Sequence, residues 1–529
     1  MAYLGVLVRG ILVATSLVIV VKLIFDLFEK KRGPLPPGPK GLPLLGNIRD
    51  LPARGQREWE HWLKHKDLYG PISSVTSLGT TIIIVHSPEL ASELLEKRSS
   101  IYSARADFEF AKLIGWTNSL ALIRPGKMHR YQRKLSHNML GTPSTVAPYL
   151  PLQEVEVDRF LFRVLKRPEL FLNHIRTEAG AIILKMVYGY TVEPHKPDPL
   201  IKLIDEAIEQ FALSTVPGAW YVDIIPPLKY VPEWMPGTGW KKIGRQWRDT
   251  LAETAERPLL WAKQQMARGD QRKCFVTEFY QEKGDDISSD DDFALKWVAI
   301  SLYGGGADTT VSTIMAFFLA MTISPEIQLK AREEIDRVIG TGRLPTYNDR
   351  ERLPYVTAVA TEAARWHPVA PMGVPHASTA EDVVNGYYIP KGAIIMPATW
   401  WFTHDPAVYP DPMKFDPNRY LGANPAPDPM DFTFGYGRRI CPGRYLAITS
   451  VWLTVARSLA VFEISKGVDE KGREIDPPVS FSSGIISRVD PFQATIKPRS
   501  AQHEFLISQV EKLHPWEKSD ADELNKIVR

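Results

Sequence analysis

The apolar and polar positions divide the chain into an apolar amino-terminal segment, a proline-rich segment and a long body. Residues 10–21 are apolar apart from small side chains, and the pattern continues to Phe28. A membrane-spanning helix needs about 20 mostly apolar residues, so the pattern predicts a transmembrane anchor over residues 1–29. A cleaved signal peptide is the alternative, but bulky side chains stand where a small-residue cleavage signal would follow the apolar core.

A connector follows the anchor over residues 30–47. It begins with Lys30, Lys31 and Arg32, and these basic residues favour a cytosolic location for the body that follows. Five prolines stand between residues 34 and 43. Proline predicts a stiff, extended backbone here, so the connector is expected to hold the body at a set distance from the membrane.

The body, residues 48–529, has the apolar spacing of a mainly α protein with a minor β component, and we treat it as one large domain. Residues 71–85 predict a β-hairpin whose turn contains Gly79 and Thr80. Residues 329–339 have the apolar periodicity of a helix, as do most later segments.

A second apolar stretch, residues 293–323, is long enough to suggest another membrane span. It contains Lys296, Asp308 and three consecutive glycines. A carboxylate is costly in the middle of a bilayer and glycine weakens a helix. The stretch is therefore predicted to be a buried central helix of a large core.

Composition excludes several classes of protein. The chain has 529 residues, with 64 Lys and Arg against 61 Asp and Glu, and its hydrophobic fraction of 44% is that of a globular protein. A net charge of +3 gives no reason to expect nucleic-acid binding. Two cysteines, Cys274 and Cys441, and no Asn-x-Ser/Thr glycosylation site fit a reducing compartment better than a secreted body.

The most informative segment is Phe-Gly-Tyr-Gly-Arg-Arg-Ile-Cys-Pro-Gly at residues 434–443. Glycines let backbone N–H groups approach the Cys441 sulfur, and Arg439 and the start of the following helix favour a thiolate. A stabilised thiolate is a metal ligand or a nucleophile. Zinc is disfavoured because no second Cys or His stands at ligand spacing, and a cysteine protease would need a partnered His. A buried Cys acting as a small apolar residue is the plain alternative.

This segment resembles the haem-binding loop of the cytochrome P-450 family, which has the pattern Phe-x-x-Gly-x-Arg-x-Cys-x-Gly. The resemblance implies that Cys441 is the axial thiolate ligand of the iron of haem b. It also implies that Phe434 packs beside the sulfur, that Arg439 pairs with a haem propionate, and that Gly437 and Gly443 shape the loop. Cys274 has no such surroundings.

Two further segments resemble the family. Glu362 and Arg365 would form, with Arg419, a buried network behind the haem, although such a pair alone is more often solvated. Asp308 and Thr309 follow glycines in the central helix and would deliver protons during oxygen activation. A close helix crossing is the alternative reason for the glycines.

A third segment departs from the family pattern. Arg133 stands where the family has a propionate-binding arginine, but His129 replaces the usual Trp. His can still donate a hydrogen bond to a carboxylate. His376 resembles another propionate contact, with an ordinary core or surface His as the alternative. A basic surface is predicted to steer an acidic electron-donor protein; its residues are Lys127, Arg130, Arg133, Lys134, Arg438, Arg439 and Arg444.

Together these resemblances imply a mainly helical P-450 haem monooxygenase of the fungal secondary-metabolism branch. It would be anchored in the endoplasmic reticulum membrane with a cytosolic body, and would use O₂ and electrons from an NADPH–cytochrome reductase. A lipophilic terpenoid or aromatic polyketide is the expected substrate, in a pocket containing Phe108, Phe110, Trp116, Ala307, Val369, Met372 and Ile485. An oxygen-independent haem-thiolate isomerase or dehydratase, and a non-enzymatic haem carrier or sensor, remain alternatives.

Overall fold

The computed structural model describes residues 33–53, 55–216, 218–270 and 272–527. The predicted anchor and the basic start of the connector lie outside the described residues. The longer helices are α1 (Glu58–Tyr69), α2 (Lys127–Leu140), α3 (Leu150–Lys166), α4 (Phe171–Tyr188), α5 (Pro199–Ser214), α6 (Gly239–Ala267), α7 (Phe275–Lys283), α8 (Ser289–Ile323), α9 (Pro325–Val338), α10 (Pro354–Trp366), α11 (Arg444–Val461) and α12 (Ala501–Ser508). This content agrees with the predicted mainly helical fold.

Shorter segments connect these helices. The short α-helical segments are Pro88–Ser92, Ser99–Tyr102, Glu109–Ile114, Pro143–Val146, Tyr221–Ile224, Thr399–His404, Met430–Thr433, Val510–Leu513 and Ala521–Leu524. The 3-10 segments are Ile48–Asp50, Trp116–Asn118, Ala147–Tyr149, Pro168–Leu170, Pro226–Tyr230, Tyr347–Arg352, Pro417–Tyr420 and Gly437–Arg439, and Glu93–Lys97 is a π-helical turn.

The strands are β1 (Ile72–Ser77), β2 (Thr80–Val85), β3 (Ala104–Arg105), β4 (His376–Ala377), β5 (Asp382–Val384), β6 (Tyr387–Ile389), β7 (Ile394–Pro397), β8 (Phe462–Val468), β9 (Glu474–Ile475) and β10 (Ala494–Pro498). Among the described residues they form sheets with the orders β1-β2-β7-β4-β3, β10-β8-β9 and β5-β6. Strands β2 and β7 are parallel, and the other pairs are antiparallel. The pairing of β3 with β4 joins two segments that are far apart in the sequence.

The predicted hairpin is confirmed as β1 and β2, which pair from Ile72 opposite Val85 to Ser77 opposite Thr80. Its turn consists of Leu78 and Gly79, one residue earlier than predicted. Their φ angles are 47° and 85°. When both residues of a two-residue turn have positive φ, the twist of the turn matches the twist of the two strands that it joins. Gly79 adopts a positive φ without steric cost.

The predicted central helix is confirmed as α8. At its start the Ser288 Oγ accepts the Asp291 N–H at 3.2 Å, and Asp291 Oδ2 accepts the Ser288 N–H at 3.1 Å, a reciprocal cap. Within the described residues α8 passes the length and hydropathy test for a membrane span, yet 83% of its most apolar window is buried inside the protein. Neighbours α2, α4, α5, α10 and α11 cover it, so it is a core helix.

The described part of the connector packs against the sheets. The Ser74 N–H donates to the Pro37 carbonyl at 2.9 Å, and the Tyr388 N–H donates to the Pro34 carbonyl at 2.8 Å. A Cβ on Gly38 would lie 1.8 Å from the Ser74 carbonyl oxygen, so this approach requires glycine. Parts of the stiff connector predicted from the prolines therefore contact the sheets of the body.

Candidate functional site

The loop before α11 is folded around Cys441. Its N–H donates to the Phe434 carbonyl at 2.8 Å, and the Gly443 N–H donates to the Cys441 side chain. Gly437 has a φ of 47°, and a Cβ there would lie 2.8 Å from the Leu95 carbonyl oxygen. The glycine therefore lets the loop press against its neighbour and close over the cysteine.

The charges of two arginines act on the Cys441 thiol, but neither of them is Arg439, the arginine that the sequence analysis named. Burial raises the pKa of the thiol, while the Gly443 N–H and the charges of Arg133 and Arg444 lower it. Arg439, which the sequence analysis expected to favour the thiolate, donates to backbone carbonyls on the segment before α2. The positive potential at the thiol comes from α2 and the start of α11.

Cys441 lies on the wall of a cavity of about 360 Å³, a size typical of small-molecule sites. Central helix α8 contributes Gly305, Thr309 and Thr313 to the same wall. Large apolar side chains form another part of the wall, near α5 and near residue 485. These apolar side chains are Trp116, Ile208, Phe211, Ile300, Val369, Ile485 and Ile486.

Five basic side chains gather at this cavity, and we call them the basic cluster: Arg105, His129, Arg133, His376 and Arg439. All but His129 form part of the cavity wall. His129 is close enough to the three arginines for their charges to lower its pKa. Strand pairing and helix geometry explain the grouping, because β3 and β4 place Arg105 opposite His376, and α2 carries His129 and Arg133 one turn apart.

Backbone carbonyls hold the arginines of the basic cluster in place. Arg439 Nε donates to the Ser103 carbonyl at 2.7 Å. Arg133 Nη1 donates to the Ile440 carbonyl at 2.8 Å, which ties α2 to the cysteine loop. These bonds orient the guanidinium groups but leave their charges without an anion.

The described residues supply no carboxylate that acts on these arginines. Burial, helped by Arg133, lowers the pKa of Arg439 to about 10, and burial and the arginines lower that of His129 to about 3. His129 Nε2 is buried and has no hydrogen-bond partner among the residues that the structure describes. Buried cations are costly without anions, so the cluster suits a ligand that brings carboxylates next to Cys441. Haem, with its propionates, fits this set of residues.

His376 and Arg105 reach the basic cluster through the pairing of β3 with β4. His376 Nδ1 bonds the Tyr102 carbonyl at 2.7 Å, and since a carbonyl only accepts, Nδ1 carries the proton. Arg105 was missed by the sequence reasoning. It lies in a two-residue strand without a local motif, and only its pairing with β4 brings it to the cavity.

The predicted Glu362 network is present and fully buried. Arg365 Nε and Nη2 each donate to the Glu362 carboxylate at 2.8 Å, and both side chains have zero exposure. Arg419 Nε lies 3.4 Å from the same carboxylate, and the Tyr420 hydroxyl donates to it at 3.1 Å. The network lies outside the cavity wall, whereas Thr361 of the same helix α10 is part of that wall. The Glu362 network therefore stabilises the position of α10 on the side of the helix that faces away from the cavity.

The predicted acid–alcohol pair divides between two sides of α8. Thr309 lines the cavity, and its hydroxyl donates to the Gly305 carbonyl at 2.6 Å. Asp308 is not on the cavity wall; its side chain is 6% exposed and its Oδ1 lies 2.8 Å from Arg488 Nε. Successive residues of a helix point about 100° apart, which separates the neighbours.

The structure places three of the seven predicted substrate contacts on the cavity wall: Trp116, Val369 and Ile485. The other four, Phe108, Phe110, Ala307 and Met372, are buried in the core away from that wall. Phe110, for example, stacks on Trp220 with ring centroids 3.6 Å apart. Ile208, Phe211 and Ile300 line the cavity but were missed, because apolar residues on a helix look the same whether they face a cavity or the core.

The predicted basic surface is smaller than expected. Lys127, Arg130, Lys134 and Arg438 are exposed. Arg133 and Arg439 turn inward to the basic cluster, and Arg444 is partly buried with its guanidinium over the Tyr445 ring.

Comparison with known proteins places these observations in context. Residues 36–493 match the family model described as Cytochrome P-450. The chain is 48% identical over 498 residues to the cytochrome P-450 monooxygenase claR of Ampulloclitocybe clavipes, covering 93% of this chain and 92% of that protein. It is 45% identical to the cytochrome P-450 monooxygenase CLM2 of Gibberella zeae, with 94% and 96% covered. It is 38% identical to the O-methylsterigmatocystin oxidoreductase of Aspergillus flavus, with 94% of each covered.

Proposed function

Because this chain belongs to the cytochrome P-450 family of haem-dependent monooxygenases and resembles members from fungal secondary metabolism, we propose that it oxidises a lipophilic small molecule. The oxidant is O₂, and the electrons come from an NADPH–cytochrome reductase. The observation that carries this proposal is one cavity that joins the Cys441 thiol, the basic cluster and an apolar wall. Haem supplies the oxygen-activation chemistry when bound.

Cys441 and the basic cluster are the proposed haem-binding residues. The Cys441 thiolate would ligate the haem iron, and metal binding would require that its proton be lost. Phe434, Gly437 and Gly443 shape the loop around the sulfur. Arg439, with the rest of the basic cluster, would hold the propionates through charge-assisted hydrogen bonds. The orphaned His129 Nε2 supports a hydrogen bond to one of them.

Asp308 and Thr309 are the proposed proton-delivery residues. Thr309 Oγ1 faces the cavity, where it can pass a proton to the reacting site. Asp308 lies behind it and serves as the reservoir. Burial raises the pKa of Asp308 while Arg488 lowers it, so a small change in that ion pair alters how readily the carboxyl group holds a proton.

The substrate is proposed to be a terpenoid or an aromatic polyketide. The wall formed by Trp116, Phe211 and the isoleucines favours a large apolar molecule. One relative is an O-methylsterigmatocystin oxidoreductase, which is further support for a secondary metabolite as the substrate. Trp116 and Phe211 pack edge to face with centroids 4.9 Å apart, which presents an aromatic surface to such a ring system.

We also propose how the chain is arranged at a membrane. Residues 1–29 anchor it in the endoplasmic reticulum membrane, residues 30–47 lead to the body, and residues 48–529 form the cytosolic haem domain. The apolar run before Phe28 and the basic residues after it support this arrangement.

Replacement of Cys441 tests the proposal. The reduced native protein under carbon monoxide is expected to have the red-shifted Soret band of thiolate-ligated haem, and Cys441→Ala is expected to lose that band and the oxidase activity. Cys274→Ala is the matched control, because Cys274 is buried near α7 and is not on the cavity wall; it should keep both. A Cys441→Ala protein with an unaltered spectrum and turnover contradicts the proposal, and turnover without NADPH or O₂ would point to an isomerase or dehydratase.

A further inference from the structure

A short loop between β9 and β10 contacts both the cavity and α8, and we call residues 480–490 the wall loop. Its ends are paired, because the Ser482 N–H donates to the Arg488 carbonyl at 2.8 Å and the Asp490 N–H donates to the Ser480 carbonyl at 3.0 Å. Near its tip, Ile485 and Ile486 form part of the cavity wall. The ends of the wall loop are therefore joined by hydrogen bonds, and its tip is accessible to a molecule in the cavity.

Two bonds fasten the wall loop to the central helix. The Ser312 hydroxyl donates to the Ser487 carbonyl at 2.9 Å. One turn earlier on α8, Asp308 Oδ1 lies 2.8 Å from Arg488 Nε. Ile485 and Ile486 at the cavity are thus three and two positions away from Arg488, the partner of the proposed proton reservoir.

The ion pair between Arg488 and Asp308 is close but poorly aligned. Arg488 Nε and Nη2 and Asp308 Oδ2 are buried atoms without a hydrogen-bond partner in the described part of the chain. Such orphaned polar atoms are uncommon in folded proteins. Because the Arg488 side chain is 27% exposed, its guanidinium group has room to change its position beside Asp308.

The other charged groups that act on Asp308 lie on helices packed against α8. Arg176 on α4 lowers the pKa of Asp308, and Arg176 Nε lies 3.8 Å from Asp205 Oδ2 on α5. Burial raises the pKa of Asp205 to about 6. Arg176 and Asp205 are each about a third exposed, at 33% and 36%, so this end of the charged group reaches solvent.

We propose that Arg488 is a positioning residue that couples the cavity wall to Asp308. A molecule that presses on Ile485 and Ile486 moves the wall loop, and the loop changes the arrangement of Arg488 on Asp308. The presence of a molecule in the cavity thereby determines how Arg488 contacts the carboxyl group of Asp308. The coupling rests on the proposed function only for its purpose, since the contacts between the loop and α8 exist whatever the reaction is.

Hydrogen–deuterium exchange on the haem-loaded protein tests the coupling. Asp308→Asn keeps the shape of the side chain but removes its charge, and it lies on α8 rather than in the wall loop. It is expected to speed exchange of the Ser482, Ser487 and Arg488 amides by about tenfold, a typical coupling between residues in contact. Arg488→Gln should do the same, and Arg488→Lys should restore most of the protection. Glu326→Gln, which removes an exposed acid on α9, is the control and should change nothing in the loop.

A second measurement addresses the cavity itself. The affinity of 4-phenylimidazole, a nitrogen ligand for haem with an apolar ring, is followed by its absorption change. Asp308→Asn and Arg488→Gln are each expected to weaken it several-fold, and the double variant should be no weaker than either single one. Faster exchange in Arg488→Gln but not in Asp308→Asn, or additive effects in the double variant, would overturn the coupling. Both readouts need only folded, haem-loaded protein, so they are independent of whether Asp308→Asn retains turnover.

Discussion

At the scale of single residues, two buried groups of charged side chains differ in whether their charges are paired within the fold. Around Glu362 every charge has a partner within the fold, because Arg365 and Arg419 both reach the same carboxylate. The basic cluster has cations without an anion, and burial and repulsion lower the pKa of Arg439. Removal of one partner from the first group would therefore leave an uncompensated buried charge and destabilise the fold, whereas the second group gains its partner when a carboxylate ligand binds.

Glu178 gives a pH-dependent prediction at this scale. It is buried between α4 and α11, where the Thr454 hydroxyl donates to it at 2.6 Å. Burial raises its pKa from 4.5 to about 8. The folded state thus holds a proton that the unfolded state releases, and the resulting stability is present at low pH and is lost as pH rises toward 8. The loss approaches about 1.4 kcal/mol per pH unit at most.

Glu178→Gln mimics the protonated acid and removes this dependence. The melting temperature of the variant, measured between pH 5 and pH 9, is expected to fall less steeply with pH than that of the native protein and to exceed it at the alkaline end. The exposed Glu326→Gln on α9 is the control and should leave the slope unchanged. A Glu178→Gln protein with the native slope would show that this carboxyl group is not protonated in the folded state.

At the scale of elements, α8 uses adjacent glycines for different purposes. A Cβ on Gly306 would lie 2.3 Å from Ile183 Cγ1 on α4, and one on Gly304 would lie 2.7 Å from Ile208 Cδ1 on α5. A Cβ on Gly305 would meet no heavy atom within 4 Å, and this residue faces the cavity. The close helix crossing therefore accounts for Gly304 and Gly306, while Gly305 leaves space beside Thr309.

This difference predicts opposite outcomes for two matched substitutions. Gly306→Ala is expected to lower the free energy of unfolding by roughly 1–3 kcal/mol, because a methyl group must displace Ile183 in a packed core. Gly305→Ala adds the same methyl group to open space and should raise stability by about 0.5–1 kcal/mol through helix propensity, while narrowing the cavity. Denaturant unfolding of both proteins measures the contrast, and equal stabilities would mean that α8 and α4 separate easily.

At the scale of the whole molecule, the local distribution of exposed charges affects the association with a charged partner more than the net charge does. The net charge is only +3, yet Lys127, Arg130, Lys134 and Arg438 are exposed on the two segments that carry the haem-binding residues of the proposal. A local basic surface of this kind attracts an acidic partner and speeds its association.

Neutralisation of this surface tests its role in electron delivery. Arg130→Gln with Lys134→Gln is expected to slow reduction by an NADPH–cytochrome reductase by about tenfold at low ionic strength and to flatten the dependence of that rate on salt. Lys471→Gln with Lys497→Gln, which removes two exposed cations near the β10-β8-β9 sheet, is the matched control. Stopped-flow reduction under carbon monoxide gives the rates, and unchanged kinetics in the first variant would exclude this surface as the docking site.

The sequence by itself determined the features that rest on local spacing. The hairpin of β1 and β2 and the helices α8 and α9 follow from apolar periodicity and a glycine turn, because these signals act between near neighbours in the chain. The loop around Cys441 identified the family, its haem cofactor and its monooxygenase class, and the comparisons confirm these. Glycines near a single cysteine are a local pattern, so one chain was enough to find it.

Tertiary structure decided what depends on distant segments. The arrival of Arg105 beside His376 required the pairing of β3 with β4, and the separation of Asp308 from Thr309 depended on which neighbours surround α8. The same holds for the substrate wall, where Phe110 and Phe211 look alike in the sequence but only Phe211 reaches the cavity. Apolar burial is non-directional, so a sequence indicates that such a side chain is buried, and only the packed fold determines what it faces.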